Sequence, residues 1–519
     1  MNMKNTLNFI LIILLFISCQ SQEKIYKDLT ITTSSEEAKN LFFEALFASE
    51  QGEQIETQDK LKKALRLDAN FELAKVFSNL NQPKNTFDAF NNRSNVSEME
   101  KYIIEAYYYI INQQYDRAYG SMNKLTESFP DISRVWSISS EIKSRTGDLY
   151  ESIDDSNTAL ELNPNNFSAY LTLLTKHVIV GNGEGLLPPE ERDLKEAERI
   201  IAKMRSIRPD APFSYMLSGN FARRQNKLEE AYDFYFQSKQ VNKSGNSQIL
   251  QSNHYMALTN TFLKKYDEAE KLFRENISIS DEGSFWKAYQ LLFIAKMNTF
   301  RNDFDRSIEV LDELERELPN FGFSQIQILN NQRDMGICRF LNFSHNQQDD
   351  EAIEAIEYVK TALINKIDLN KSTFTENEYK NRLRDIDKKI LIMNTWNDIL
   401  FGRYNDARLK LIDLKVYAEE DLKNDPRSFH DYYAFMGMIY LNEGDYNLAV
   451  ENFEKTENTV TAGLYIDRVC GTYFEYFYAL ALRGNGNSEK ANQILKRLAE
   501  TNFFGYDNAL VKSLAISLL

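Results

Sequence analysis

Cysteine is nearly missing from this chain: there are three in 519 residues, at positions 19, 338 and 470. So few exclude a disulfide framework and paired-cysteine metal knuckles. Nine prolines and 19 glycines are also few, which disfavours a turn-rich β-sandwich and excludes a collagen-like chain. The four histidines, His177, His254, His345 and His430, stand at no metal-ligand spacing from one another or from a cysteine. Basic residues are outnumbered 61 to 76, for a net charge of -15, which argues against broad nucleic-acid binding. A hydrophobic content of 43% excludes general disorder. Beyond the first twenty residues no apolar run reaches bilayer-spanning length, so no further membrane crossing is expected.

Motifs for chemistry are equally scarce. Gly181-Asn182-Gly183-Glu184-Gly185 is glycine-rich, but no Lys-Ser/Thr follows to hold phosphate. Gly484-Asn485-Gly486-Asn487-Ser488-Glu489-Lys490 lacks both the second glycine and the spacing of a P-loop. No G-x-S-x-G elbow occurs. Acid pairs such as Glu190-Glu191 and Asp349-Asp350 fall in turns or on helix faces, where solvated charge is the default reading. The window 338–395 carries one histidine and no second catalytic partner. The expectation is no catalysis, no metal and no cofactor.

The first segment reads as an address. Lys4 precedes a short apolar run, Phe9–Ile17, about half of what a bilayer-crossing helix needs. Phe16-Ile17-Ser18-Cys19 resembles a bacterial lipoprotein box, a small residue before the cysteine that is lipidated. The resemblance implies cleavage before Cys19 and acylation of its thiol, with residues 1–18 as signal peptide and 19–35 as a polar tether. It implies a location in the bacterial cell envelope, lipid-anchored, with the periplasmic face of the outer membrane as the expected site. The remaining cysteines, Cys338 and Cys470, lie in apolar helical contexts and read as buried small hydrophobes, the alternative being a long-range bridge between them in an oxidising compartment.

The body repeats. A small residue follows a turn signal at Ala118, Ser152, Ala197, Ala231, Ala269, Ser307, Ala407, Ala449 and Ala491. Successive steps of 34, 38 and 42 residues recur between them, the period of stacked helix pairs. Pro130, Pro164, Pro209 and Pro319 fall where second helices should end. The set Tyr433, Met436, Gly437, Tyr440, Gly444, Ala449 and Phe453 resembles the tetratricopeptide repeat, as do Trp136, Gly147 and Ala159, and Tyr215, Gly219, Ala231 and Tyr235. Gly437 and Ala449 are small where two helices approach; Tyr440 and Phe453 fill the adjoining gap; each Gly-Asp turn is expected to cap the second helix through its carboxylate.

The resemblance implies an all-α fold, an α-solenoid of roughly 9–11 antiparallel hairpins wound as a superhelix. We expect a first array over 36–337, an irregular helical segment over 338–395 with a long helix from Glu378 to about Leu400, and a second array over 396–519. Asn81–Asn95 reads as a polar break, and Gly181–Arg192 as an inserted loop. In such arrays first helices line the concave groove, so Asn220, Arg223, Arg224 and Lys227 are candidate contacts for an acidic partner segment; the alternative is that the basic pair balances a helix C-terminus. Tyr107, Tyr108, Tyr473 and Tyr476 add either aromatic surface or repeat core. Two functions remain open: a membrane-anchored, non-catalytic scaffold that binds envelope proteins, or an outer-membrane glycan- or nutrient-binding lipoprotein.

Overall fold

A small residue in one helix and a second small residue twelve positions later set the geometry of this fold. The computed structural model describes residues 26–50, 54–78, 83–112, 114–178, 185–242, 245–422, 428–457, 471–502 and 508–519. The signal segment, Cys19 and Cys470 lie outside the described residues. What is described is all-α: within each of two compact units, antiparallel helix hairpins stack on their neighbours in the manner of an α-solenoid.

Two compact units result, one of residues 26–177 with 186–193, the other of 178, 185 and 194–519. The first holds α1 (Glu36–Glu50), α2 (Gln54–Leu67), α3 (Glu72–Ser78), α4 (Pro83–Asn92), α5 (Glu98–Ile111), α6 (Tyr115–Ser128), α7 (Ser133–Thr146), α8 (Leu149–Leu162) and α9 (Phe167–His177). The second begins with α10 (Leu194–Ile207), α11 (Pro212–Arg224), α12 (Leu228–Val241), α13 (Gly245–Phe262), α14 (Tyr266–Ile279), α15 (Trp286–Phe300) and α16 (Phe304–Glu317). It continues with α17 (Gln325–His345), α18 (Asp349–Leu369), α19 (Glu376–Leu400), α20 (Tyr404–Asp421), α21 (His430–Glu443), α22 (Tyr446–Glu457), α23 (Gly471–Gly484), α24 (Ser488–Glu500) and α25 (Asn508–Leu518).

The pairs that close the hairpins are Ala106 with Ala118, Ser140 with Ser152, Gly219 with Ala231, Ala257 with Ala269, Ala295 with Ser307, Thr395 with Ala407, Gly437 with Ala449 and Ala479 with Ala491. All are buried. Absence of bulk lets the two backbones approach, and larger side chains then fill the space beside them. At Gly437 an added Cβ would lie 2.9 Å from Cε2 of Phe453, so only glycine leaves room for that ring. The hairpin α17/α18 departs from the rule, with Phe340 twelve positions before Ala352.

The turns are as regular as the pairs. Five residues before the second small residue the chain adopts positive φ, at Gly147, Asn226, Lys264, Asn302, Gln347, Gly402, Gly444 and Gly486. The next amide then bonds back five residues, as from Lys265 N–H to the Asn260 carbonyl at 2.8 Å and from Asp445 N–H to the Tyr440 carbonyl at 2.9 Å. This satisfies carbonyls that the helix end leaves open. Of the Gly-Asp turns, Asp445 caps its helix through Oδ1, which accepts from Leu448 N–H at 3.1 Å. Asp148 does not: its carboxylate accepts from the Thr146 hydroxyl at 3.1 Å instead.

Two expectations change. Residues 338–395 are not an irregular segment; the expected boundaries at 337/338 and 395/396 fall inside α17 and α19, and the region continues the helix hairpins with helices of 21, 21 and 25 residues. The extra length reads as irregularity because it stretches the period. Within Asn81–Asn95, residues Pro83–Asn92 form helix α4, its proline at the first position where no N–H is needed. Cys338 is buried and free, and burial pushes its thiol up to about 11.

Candidate functional site

Asn220 and Arg223 sit one turn apart near the end of α11, and the fold takes both inside. Arg223 is 1% exposed and Asn220 5%. Their position follows from Gly219, where an added Cβ would lie 2.5 Å from the Tyr235 ring. The bare backbone admits that ring, and its hydroxyl donates to Asn220 Oδ1 at 2.8 Å while accepting from Arg223 Nε at 3.1 Å. Burial pushes the Tyr235 hydroxyl up to about 12, against the opposing pull of the Arg223 charge. Arg223 Nη1 donates to the Asn502 backbone carbonyl, and its guanidinium lies 5.3 Å from the centre of the Tyr255 ring. Arg224 is half-buried and Lys227 exposed. The four candidates therefore do not form one basic surface. Arg223 and Asn220 are interior, since a segment far along the chain covers the end of α11.

The solvent-facing feature nearby is aromatic. His254 on α13 is 3% exposed, its ring centre 4.5 Å from Phe293, 5.1 Å from Tyr289, 5.3 Å from Tyr255, and 5.7 Å from both Phe273 and Trp286. Burial holds its imidazole down to about 3, opposed by the contact of Nδ1 with Gln290 Oε1 at 3.3 Å, so the ring is neutral. Around it Tyr255, Trp286 and Tyr289 are half-buried and Phe285 is 56% exposed. Phe285 lies 4.8 Å from Trp286, and Trp286 5.7 Å from Tyr289 in an edge-on arrangement. Tyr255 stacks on Tyr235 at 5.3 Å. These rings form a strip along the first helices of two successive hairpins, α13 and α15.

Elsewhere the titratable groups serve packing. Tyr107, Tyr473 and Tyr476 are buried core, and Tyr108 is half-buried, stacked on Phe90 at 3.6 Å. Tyr473 bonds His345 Nε2, and burial holds that imidazole down to about 4. His177 Nδ1 accepts from Asp193 N–H at 3.0 Å. Among the described residues no three His, Cys, Asp or Glu side chains converge as a metal ion would require, and no helix is long and apolar enough to cross a membrane. The aromatic strip was missed in the sequence because Phe285 precedes α15 and Tyr255 lies one hairpin earlier; the three-residue spacing of Trp286 and Tyr289 was its one local sign.

Residues 430–455, hairpin α21/α22, match the tetratricopeptide repeat family. Three solved structures are similar at low identity. PilW, described as a widely conserved type IV pilus biogenesis factor, is 15% identical over 41% of this chain and 90% of its own, with a TM-score of 0.32. A tetratricopeptide repeat protein from Parabacteroides merdae is 10% identical over 68% of this chain and 99% of its own, at 0.27. Human IFIT1, solved as a dimer with m7Gppp-AAAA, is 13% identical over 77% of this chain and 89% of its own, at 0.35. No curated protein matches the sequence.

Proposed function

We propose that this chain is a non-catalytic interaction scaffold of tetratricopeptide type, anchored to a bacterial envelope membrane through lipidated Cys19, outer-membrane and periplasm-facing. Its first-helix faces capture envelope proteins. One observation carries the reading: Tyr255, Trp286, Tyr289 and Phe285 bring large rings to solvent on adjacent first helices. Aromatic side chains bury much area at little cost in conformational freedom and dominate protein interfaces. The mature chain, immobilised and crosslinked in envelope extract, should retain discrete proteins that a Trp286→Ala/Tyr289→Ala variant loses. Equal capture by both would remove the strip from the account. The anchor is tested separately: Cys19→Ser should lose label from radioactive palmitate and leave the membrane fraction, since a stable anchor requires two or more acyl chains.

The same rings support a second reading, a glycan- or nutrient-binding outer-membrane lipoprotein, because half-exposed Trp and Tyr faces also accept sugar rings. Calorimetric titration with soluble glycans separates the two. Saturable heat belongs to the second reading, and its absence to the first.

A further inference from the structure

Far along the chain from α11, the segment that follows α24 turns back onto the second unit. The Asn502 side-chain amide donates to the Arg223 carbonyl at 3.0 Å, a contact across 279 residues, and to Asn226 Oδ1 at 2.9 Å. Arg223 returns a bond from its guanidinium to the Asn502 carbonyl. On α25, Lys512 Nζ donates to Asn502 Oδ1 at 3.0 Å and to the Ala499 carbonyl, and lies 5.1 Å from the ring centre of Phe262 at the end of α13. Ser513 Oγ donates to Asn302 Oδ1 at 3.3 Å, and α25 packs on α15. The docked segment thus touches the ends of three successive first helices, α11, α13 and α15, at the turns that carry Asn226 and Asn302. Its other face is tied to its own neighbours: Leu510, Val511 and Ala515 are buried in one cluster with Leu482, Ile494 and Leu498.

Two features mark this contact. It is closed by polar groups rather than by a shared apolar cluster. It also buries two cations, Arg223 and Lys512, whose hydrogen bonds go to neutral oxygens and to no carboxylate. Removing an ammonium from water without a directly bonded counter-ion is unfavourable, and burial accordingly holds Lys512 down to about 8, against the opposing pull of the Glu500 charge. Docking therefore works against a standing cost, of the kind that buried Lys176, bonded to Ser144 Oγ at 2.7 Å, carries in the first unit.

We propose that Asn502 and helix α25 form a releasable clasp, an intramolecular contact that closes the second unit onto the turns of α11, α13 and α15 and can open without unfolding the hairpins. The clasp does not depend on the scaffold reading, because its occupant is the chain's own.

The test uses the full chain. Hydrogen exchange is followed at residues 223–227, with residues 437–449 as the internal reference. In Asn502→Ala the amides at 223–227 should exchange about tenfold faster, the scale expected when hydrogen bonds holding a local contact are lost, while 437–449 keep the parent rate. A fluorescent synthetic peptide of residues 499–519 should bind the Asn502→Ala chain about tenfold more tightly than the parent, whose site its own segment fills. Asn226→Gly supplies a second variant; a glycine keeps the turn, where φ is 60, and deletes only the acceptor. It should speed exchange at 223–227 in the same direction. Unchanged exchange at 223–227 in both variants, loosening that spreads equally to 437–449, or a peptide that binds parent and variant alike would overturn the proposal.

Discussion

In hairpin α7/α8 the helices meet through hydroxyls; in α21/α22 they meet through a ring laid on a glycine. Ser140 Oγ shares a hydrogen with Ser156 Oγ at 2.6 Å and bonds the Ser152 carbonyl at 2.7 Å, and Ser152 returns a bond to the Ser140 carbonyl at 2.8 Å. Ser139 donates to Asp155 Oδ2 at 2.6 Å, and Asp155 pairs with Lys143 at 2.9 Å. In α21/α22 the same positions hold Gly437 and Ala449, and Phe453 is fully buried against them. The shared requirement is size. What fills the remaining space, a polar network or an aromatic ring, varies from hairpin to hairpin.

The comparison breaks most visibly at its buried carboxylate. Asp155→Ala leaves the buried Lys143 with only the exposed Glu151 carboxylate, at 3.2 Å, and Ser139 without its acceptor, and should cost about 2–3 kcal/mol in chemical denaturation, as a buried cation loses one of its two acids. In the apolar hairpin the sensitive position is the glycine. Gly437→Ala drives a methyl into the Phe453 ring, and the overpacking should outweigh the gain in helix propensity, for a net loss of about 1–2 kcal/mol. Pairing it with Phe453→Leu should recover most of that loss. A stable Gly437→Ala would show that close approach is not what the small pair serves.

Smaller effects sharpen the same point. Lys264 occupies the left-handed position that Gly147, Gly402, Gly444 and Gly486 occupy in other turns. Lys264→Gly should therefore stabilise the second unit by about 1 kcal/mol, read as a raised thermal midpoint. Ser307 donates to the Ala295 carbonyl at 2.9 Å, the bond that Ser152 makes in its hairpin. Its equivalents elsewhere are alanine, so Ser307→Ala should cost under about 1 kcal/mol, the net worth of one hydrogen bond. Ser307→Leu should cost several times more.

Much of this was legible in the chain itself. The second small residue of each hairpin and the prolines at helix ends announce themselves, because Ala after a turn and Pro after an apolar run are local signals. The first small residue is harder to see, since Ala106, Ser140, Gly219 and Thr395 share size but not identity. The turns were half legible: glycine marks four of the eight positive-φ positions, and Asn, Lys and Gln hold the others, also in the left-handed region. Arg223 was misread for a different reason. A basic pair at a helix end looks solvent-bound, and no nearby residue discloses that Asn502 will cover it. The aromatic strip was hidden for the same reason, since its rings come from two hairpins.

Site-directed photo-crosslinking in living cells tests the central functional claim most directly. A photoreactive phenylalanine analogue is placed at Phe285, 56% exposed on the aromatic strip, or at Leu409, 64% exposed on a second helix. Discrete adducts at Phe285 with none at Leu409 are the predicted result. Adducts at Leu409 alone, or at neither position, would contradict it.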